Sequence, residues 1–170
     1  MLRTSRPASC YVFLIALRRI PMLVREIMSD HLVYCHPDSP LRDVARLMAE
    51  RDCGQIPVVS TGDRREPVGV VTDRDIVCRV IAQGRNPLDL TASDCMTSPV
   101  ITVSTATRVE DCCRIMEQSQ IRRVLVVDEA GACCGIVSQA DIARTGPEKL
   151  AGEVVKAVSR ETTGASRLSH

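Results

Sequence analysis

The chain has 170 residues, 45% hydrophobic and 25% charged, with a net charge of +1, which is a soluble globular balance with length enough for one domain or two small modules. The near-neutral charge gives no basis for binding nucleic acid or an anionic membrane surface. An aromatic content of 2% supplies no stacking platform for bases and leaves the core to aliphatic side chains.

In chain order, the first feature is an apolar run from Cys10 to Leu17, flanked by arginines. It is too short to span a bilayer, and no convincing small-x-small cleavage site follows it. Met22 is an alternative start, so residues 1–21 are read as an extension outside the fold. A short extended piece, "LVYC", comes next. Past the breakers Pro37 and Pro40, Leu41, Val44, Ala45, Leu47 and Met48 recur at helical spacing. "IPVVS" is a β-branched strand, "GDRRE" a turn, and "PVGVVT" a second strand antiparallel to the first. "DRDIVCRVIAQG" is a helix carrying Ile76, Val77, Val80 and Ile81, with Gly84 at its end. "GRNPLDLT" reads as a linker. The same order then returns: "ITV", a helix from about Thr107, "RVLVVD", "CGIVS" and "QADIART". Beyond the breaker Gly146-Pro147, the stripe Leu150, Val154, Val155 and Val158 predicts a helix of about three turns, followed by a polar tail.

The nine cysteines include no CxxC pair, and their odd number fits no disulfide framework. The adjacent pairs Cys112-Cys113 and Cys133-Cys134 are read as small hydrophobes in apolar positions. His31, His36 and His170 have no catalytic or metal-binding spacing. No obligatory cofactor is expected, and the expected location is cytoplasmic.

The chain repeats itself. "VREIMSD" aligns with "ASDCMTS", placing Met28 over Met96, and the first helix with "ATRVEDCCRIMEQSQ", placing Met48 over Met116. "IPVV" falls on "VLVV", and "GVVTDRDI" falls on "GIVSQADI", with Gly69 over Gly135. A single unit leaves a sheet face uncovered; two units packed face to face cover both. These motifs, twice in the same order over about Met22 to Thr145, resemble a tandem pair of CBS domains, or Bateman module. The fold expected is α+β: two pseudo-symmetric repeats, β-α-β-β-α each, packed sheet to sheet. Repeat 1 spans residues 22–84, the linker 85–91, repeat 2 residues 92–145, and a C-terminal helix and tail 146–170. The resemblance implies a regulatory module of the stand-alone kind, homodimeric, binding AMP, ADP, ATP or S-adenosylmethionine and acting on an unidentified partner protein. No catalytic activity is implied.

"TDRD" has two readings. Thr72 with Asp75 three residues on is close to a capping box, and Ser138 with Asp141 repeats it. A helix start of this kind also suits a phosphate, with the hydroxyl donating to it and the carboxylate accepting from ribose hydroxyls. Modules of this family join the T-x-x-D of one repeat to residues before the middle strand of the other. The Asp75 cleft is therefore expected to face Arg122 and Arg123, whose planar forks pair with phosphate oxygens. The Asp141 cleft is expected to face Gly54 and Gln55, which supply no cation. The resemblance places a purine on aliphatic side chains near Leu32, Val33, Pro99 and Val100. The alternative function is a ligand-free structural dimerisation module, in which both T-x-x-D turns serve only as caps. A redox function of the cysteines is a third reading.

Overall fold

The computed structural model describes residues 21–145 and Gly152. The extension before Met22 and the helix expected near Leu150 fall almost wholly outside the described residues.

In repeat 1, helix α1 (Leu41–Glu50) turns Leu41, Val44 and Met48 inward, as its periodicity requires. Strands β1 (Gln55–Val59) and β2 (Pro67–Thr72) pair antiparallel, with Ile56 opposite Val71. Helix α2 (Asp73–Asp75) continues into a π turn (Ile76–Val80) and a 3-10 turn (Ile81–Gln83), stopped by Gly84 at φ 69°. Along that helical path Ile76 and Val80 are buried, whereas Val77 and Ile81 face outward and are more than half exposed. The extended piece expected at "LVYC" is reduced to one parallel bridge, Cys35 to Val58. Its counterpart in repeat 2 is a true strand, β3 (Thr102–Ser104), parallel to β4 (Arg123–Val127). Helix α3 (Val109–Ser119), β5 (Cys133–Ser138) antiparallel to β4, and helix α4 (Gln139–Thr145) complete that repeat.

The two sheets meet through Val59, Leu125 and Cys133, with Leu32, Tyr34, Val70, Val100 and Ile136 packed around them. Burial of these apolar side chains at the seam makes the two repeats one body. The chain also crosses between repeats. Val24 and Ile27, at the start of repeat 1, are buried in the core of repeat 2 with Val109, Met116 and Ile142. Ala92 and Cys95, at the start of repeat 2, are buried in the core of repeat 1 with Leu41, Ile56 and Val80. Backbone bonds follow the same exchange. Val109 N–H at the start of α3 donates to Met22 C=O, and Leu41 N–H at the start of α1 donates to Leu90 C=O. Each helix thereby satisfies an otherwise orphaned N-terminal donor on the neighbouring segment.

Candidate functional site

Thr72 ends β2 in extended conformation and caps α2. Its N–H donates to Asp75 Oδ2 at 2.9 Å and its hydroxyl to the same oxygen at 2.6 Å, while Asp75 N–H donates back to Thr72 Oγ1 at 3.1 Å. Asp75 is buried, and its Oδ1 pairs with Arg79 Nε at 3.3 Å. Arg79 in turn donates from Nη1 to Cys95 C=O at 2.9 Å and to Met96 C=O at 3.2 Å. One guanidinium thus ties the start of the helix to the exchanged segment.

Repeat 2 has the same turn. Ser138 N–H and hydroxyl donate to Asp141 Oδ2 at 2.8 and 2.6 Å, and Arg144 pairs with Asp141 Oδ1. A third copy, which the sequence reading passed over, lies in "TASD". Thr91 N–H and hydroxyl donate to Asp94 Oδ2 at 2.9 and 3.0 Å, and Arg85 pairs with Asp94 Oδ1 at 3.1 Å. These bonds, that of the Thr91 N–H foremost, hold the Asp94 carboxyl below its ordinary pKa. The capping geometry is therefore common to all three turns, and surroundings distinguish them.

Thr72 and Asp75 open into a cleft of about 680 Å³, also lined by Pro99, Val100, Arg122 and Arg123. Elements of both repeats meet there: the end of β2 and start of α2, the segment before β3, and the start of β4. Leu32, Val33, Ser138 and Asp141 are not on its walls. Leu32 packs at the seam between the sheets, and Val33 packs against the core of repeat 1. Gly54 and Gln55, expected to face Asp141, line the Thr72–Asp75 cleft. Strand pairing brings them there: Gln55 is the register partner of Thr72, and Asp73 N–H donates to Gly54 C=O at 3.2 Å. Arg123 is likewise the register partner of Ser138. Sequence reading also missed Arg74, Thr97, Ile101 and Gln120 on the cleft walls. Arg74 was legible as the cation inside "TDRD".

Most of the described cysteines behave as core side chains, with Cys53 and Cys134 half-buried. Cys35, Cys95, Cys112, Cys113 and Cys133 are buried, and Cys78 is exposed. Burial pushes the Cys35 and Cys112 thiols up to about 12 and Cys133 to about 11. Among the described residues no cluster of His, Cys, Asp and Glu is arranged to hold a metal ion.

With this geometry in place, two stretches of the chain, 24–81 and 92–148, match the CBS domain model. The chain belongs to the CBS-domain family. Hypoxic response protein 1 of Mycobacterium tuberculosis is 34% identical over 134 residues, covering 79% of this chain and 92% of that protein. An uncharacterized Methanopyrus kandleri protein is 34% identical over 128 residues, covering 75% of this chain, which spans 64% of that relative's length. The crystal structure of hypoxic response protein I, described with two coordinated zinc ions, is 33% identical, covers 74% of this chain and 100% of that one, and has a TM-score of 0.67. The CBS pair of MJ0100, in complex with 5′-methylthioadenosine and S-adenosylmethionine, is 28% identical with a TM-score of 0.64, over 72% of this chain and 98% of that one. CBSX2 in complex with AMP is 26% identical with a TM-score of 0.62, over 72% and 94%.

Proposed function

We propose that this CBS pair is a sensor for an adenosine-containing ligand of the AMP, ADP, ATP or S-adenosylmethionine class. The carrying observation is a cleft whose walls come from both repeats, with Thr72 and Asp75 on one side and Pro99, Val100, Arg122 and Arg123 on the other. The complexes of MJ0100 and CBSX2 with adenosine compounds support the reading. In it, the purine lies on Pro99 and Val100 and the ribose hydroxyls donate to Asp75. Phosphate oxygens accept from the two arginine forks, and from the Thr72 hydroxyl once it turns away from Asp75 Oδ2. Ser138 and Asp141 form a second site that is weaker, left empty, or suited to a less charged adenosine ligand.

A ligand held by both repeats shifts their arrangement, or that of two chains, by its difference in affinity for two states. The proposed assembly is a homodimer in the cytoplasm, acting on a regulated protein through binding, without catalysis or an obligatory cofactor.

A structural dimerisation module is the second reading, favoured by one observation: both turns satisfy their own hydrogen bonds without a ligand. Thermal unfolding against AMP, ADP, ATP and S-adenosylmethionine decides between them. A ligand at about 100 times its Kd stabilises by about 2.7 kcal/mol; unchanged unfolding with all four supports the structural reading.

A further inference from the structure

Resting on the adenosine reading of the Thr72–Asp75 cleft, we infer that this cleft selects ligands bearing a di- or triphosphate chain, and that Arg74 sets the selectivity. Arg74 enters from the start of α2, while Arg122 and Arg123 enter from the start of β4 in the other repeat. All three are exposed, and among the described residues none of their guanidiniums has a hydrogen-bond or ion-pair partner. Arg79, Arg85 and Arg144, by contrast, are each ion-paired to an aspartate. Three unpaired like charges around one cleft repel one another, and an anion placed among them relieves that repulsion.

The carboxylates on the walls do not cancel these charges one for one. Asp75 is engaged by Thr72 and Arg79. Asp73 accepts the Arg74 backbone N–H at 2.7 Å through Oδ1, and its Oδ2 lies against Gly54, 3.0 Å from where a Cβ would stand. A guanidinium fork engages two oxygens at once. A monophosphate carries about two negative charges near neutral pH, fewer than the three cations here, whereas each further phosphate of a di- or triphosphate adds charge along a longer path. The sulfonium of S-adenosylmethionine adds a cation where three already stand. In repeat 2 the residues between Ser138 and Asp141 are Gln139 and Ala140, so that turn carries no equivalent charge.

The test is calorimetric titration of ATP, ADP, AMP and uncharged 5′-methylthioadenosine, without divalent cations, into the wild-type chain, Arg74→Ala and Arg74→Lys. Wild type is expected to bind ATP and ADP more tightly than AMP. Arg74→Ala is expected to weaken ATP by about tenfold, the loss of one charge-assisted contact. It should leave 5′-methylthioadenosine within about twofold, with Arg74→Lys between the two for ATP. Equal affinity for AMP and ATP, an unchanged ATP affinity in Arg74→Ala, or an equal loss for 5′-methylthioadenosine overturns the inference while leaving the adenosine reading standing. Binding of none of the four compounds overturns both.

Discussion

Gly69 lies directly beneath Met96: a Cβ at Gly69 would stand 2.7 Å from the Met96 sulfur and 3.1 Å from the Thr97 carbonyl oxygen. Gly135 and Met28 repeat the relationship, with 2.9 Å to the sulfur and 3.0 Å to the Ser29 carbonyl oxygen. The sequence repeat places Met28 over Met96 and Gly69 over Gly135, yet the contacts are crossed. Each methionine covers the glycine of the other repeat. The glycine is there for close approach, because Val70 and Thr97 exchange backbone bonds at 3.1 and 2.8 Å across the same spot.

Gly69→Ala is therefore expected to destabilise the fold by about 1–3 kcal/mol, the range for overpacking. The Met96 side chain can swing away, but the Thr97 carbonyl cannot move without disturbing its bridge. Gly62→Ala, where a Cβ meets nothing within 4 Å, is the control and should change little. Urea unfolding of both variants checks this.

The three T/S-x-x-D turns make a cap prediction that does not depend on any ligand. Thr72→Ala, Ser138→Ala and Thr91→Ala should each cost about 1 kcal/mol in the apo chain. Only Thr72→Ala should also impair ligand binding, since Thr91 and Ser138 do not line the cleft. Denaturant unfolding and titration on the same preparations separate the two effects.

Asp94 gives a pH dependence with a definite sign. Its folded pKa is lowered, foremost by the Thr91 backbone N–H. Its contribution to stability is thus present above the unfolded carboxylate value and is lost as pH falls through the lower folded value. Asp94→Asn should be less stable than wild type near neutral pH, and the gap should close below about pH 4. A gap that stays constant from pH 7 to pH 3 contradicts this.

Thiol reactivity should follow burial. Cys78 is exposed and should label rapidly in the native chain, whereas Cys35, Cys112 and Cys133 should label only on unfolding. Their raised pKa values leave little thiolate for attack near neutral pH. Mass-spectrometric mapping of alkylated cysteines before and after denaturation checks the order.

Much of this fold was legible because the signals are local. The stripe Leu41, Val44 and Met48 and the β-branched runs at Ile56 and Val124 declare helix and strands through their own periodicity. The crossing of Val24 and Ile27 into the other repeat was not legible, since a repeat in sequence carries no information on which core each copy fills. The shrinking of "LVYC" to a single bridge, while "ITV" pairs as a strand, depends on tertiary register and leaves no trace in composition. In the site, Arg122 and Arg123 were expected from the family resemblance, and both lie on the cleft walls. Strand pairing also sets Gln55 beside Thr72, a neighbour that the comparison of the two repeats did not bring out. Thr91 and Asp94 were overlooked because a motif sought at strand ends recurs at the end of a linker.

The central claim is that the cleft at Asp75, and not the turn at Asp141, holds the ligand. Calorimetric titration of ATP into Asp75→Asn and Asp141→Asn tests it most directly, because asparagine keeps the size of the cap while removing the charge. The account predicts a loss of about tenfold or more for Asp75→Asn and less than about threefold for Asp141→Asn. Equal losses in the two variants, or a larger loss in Asp141→Asn, would contradict it.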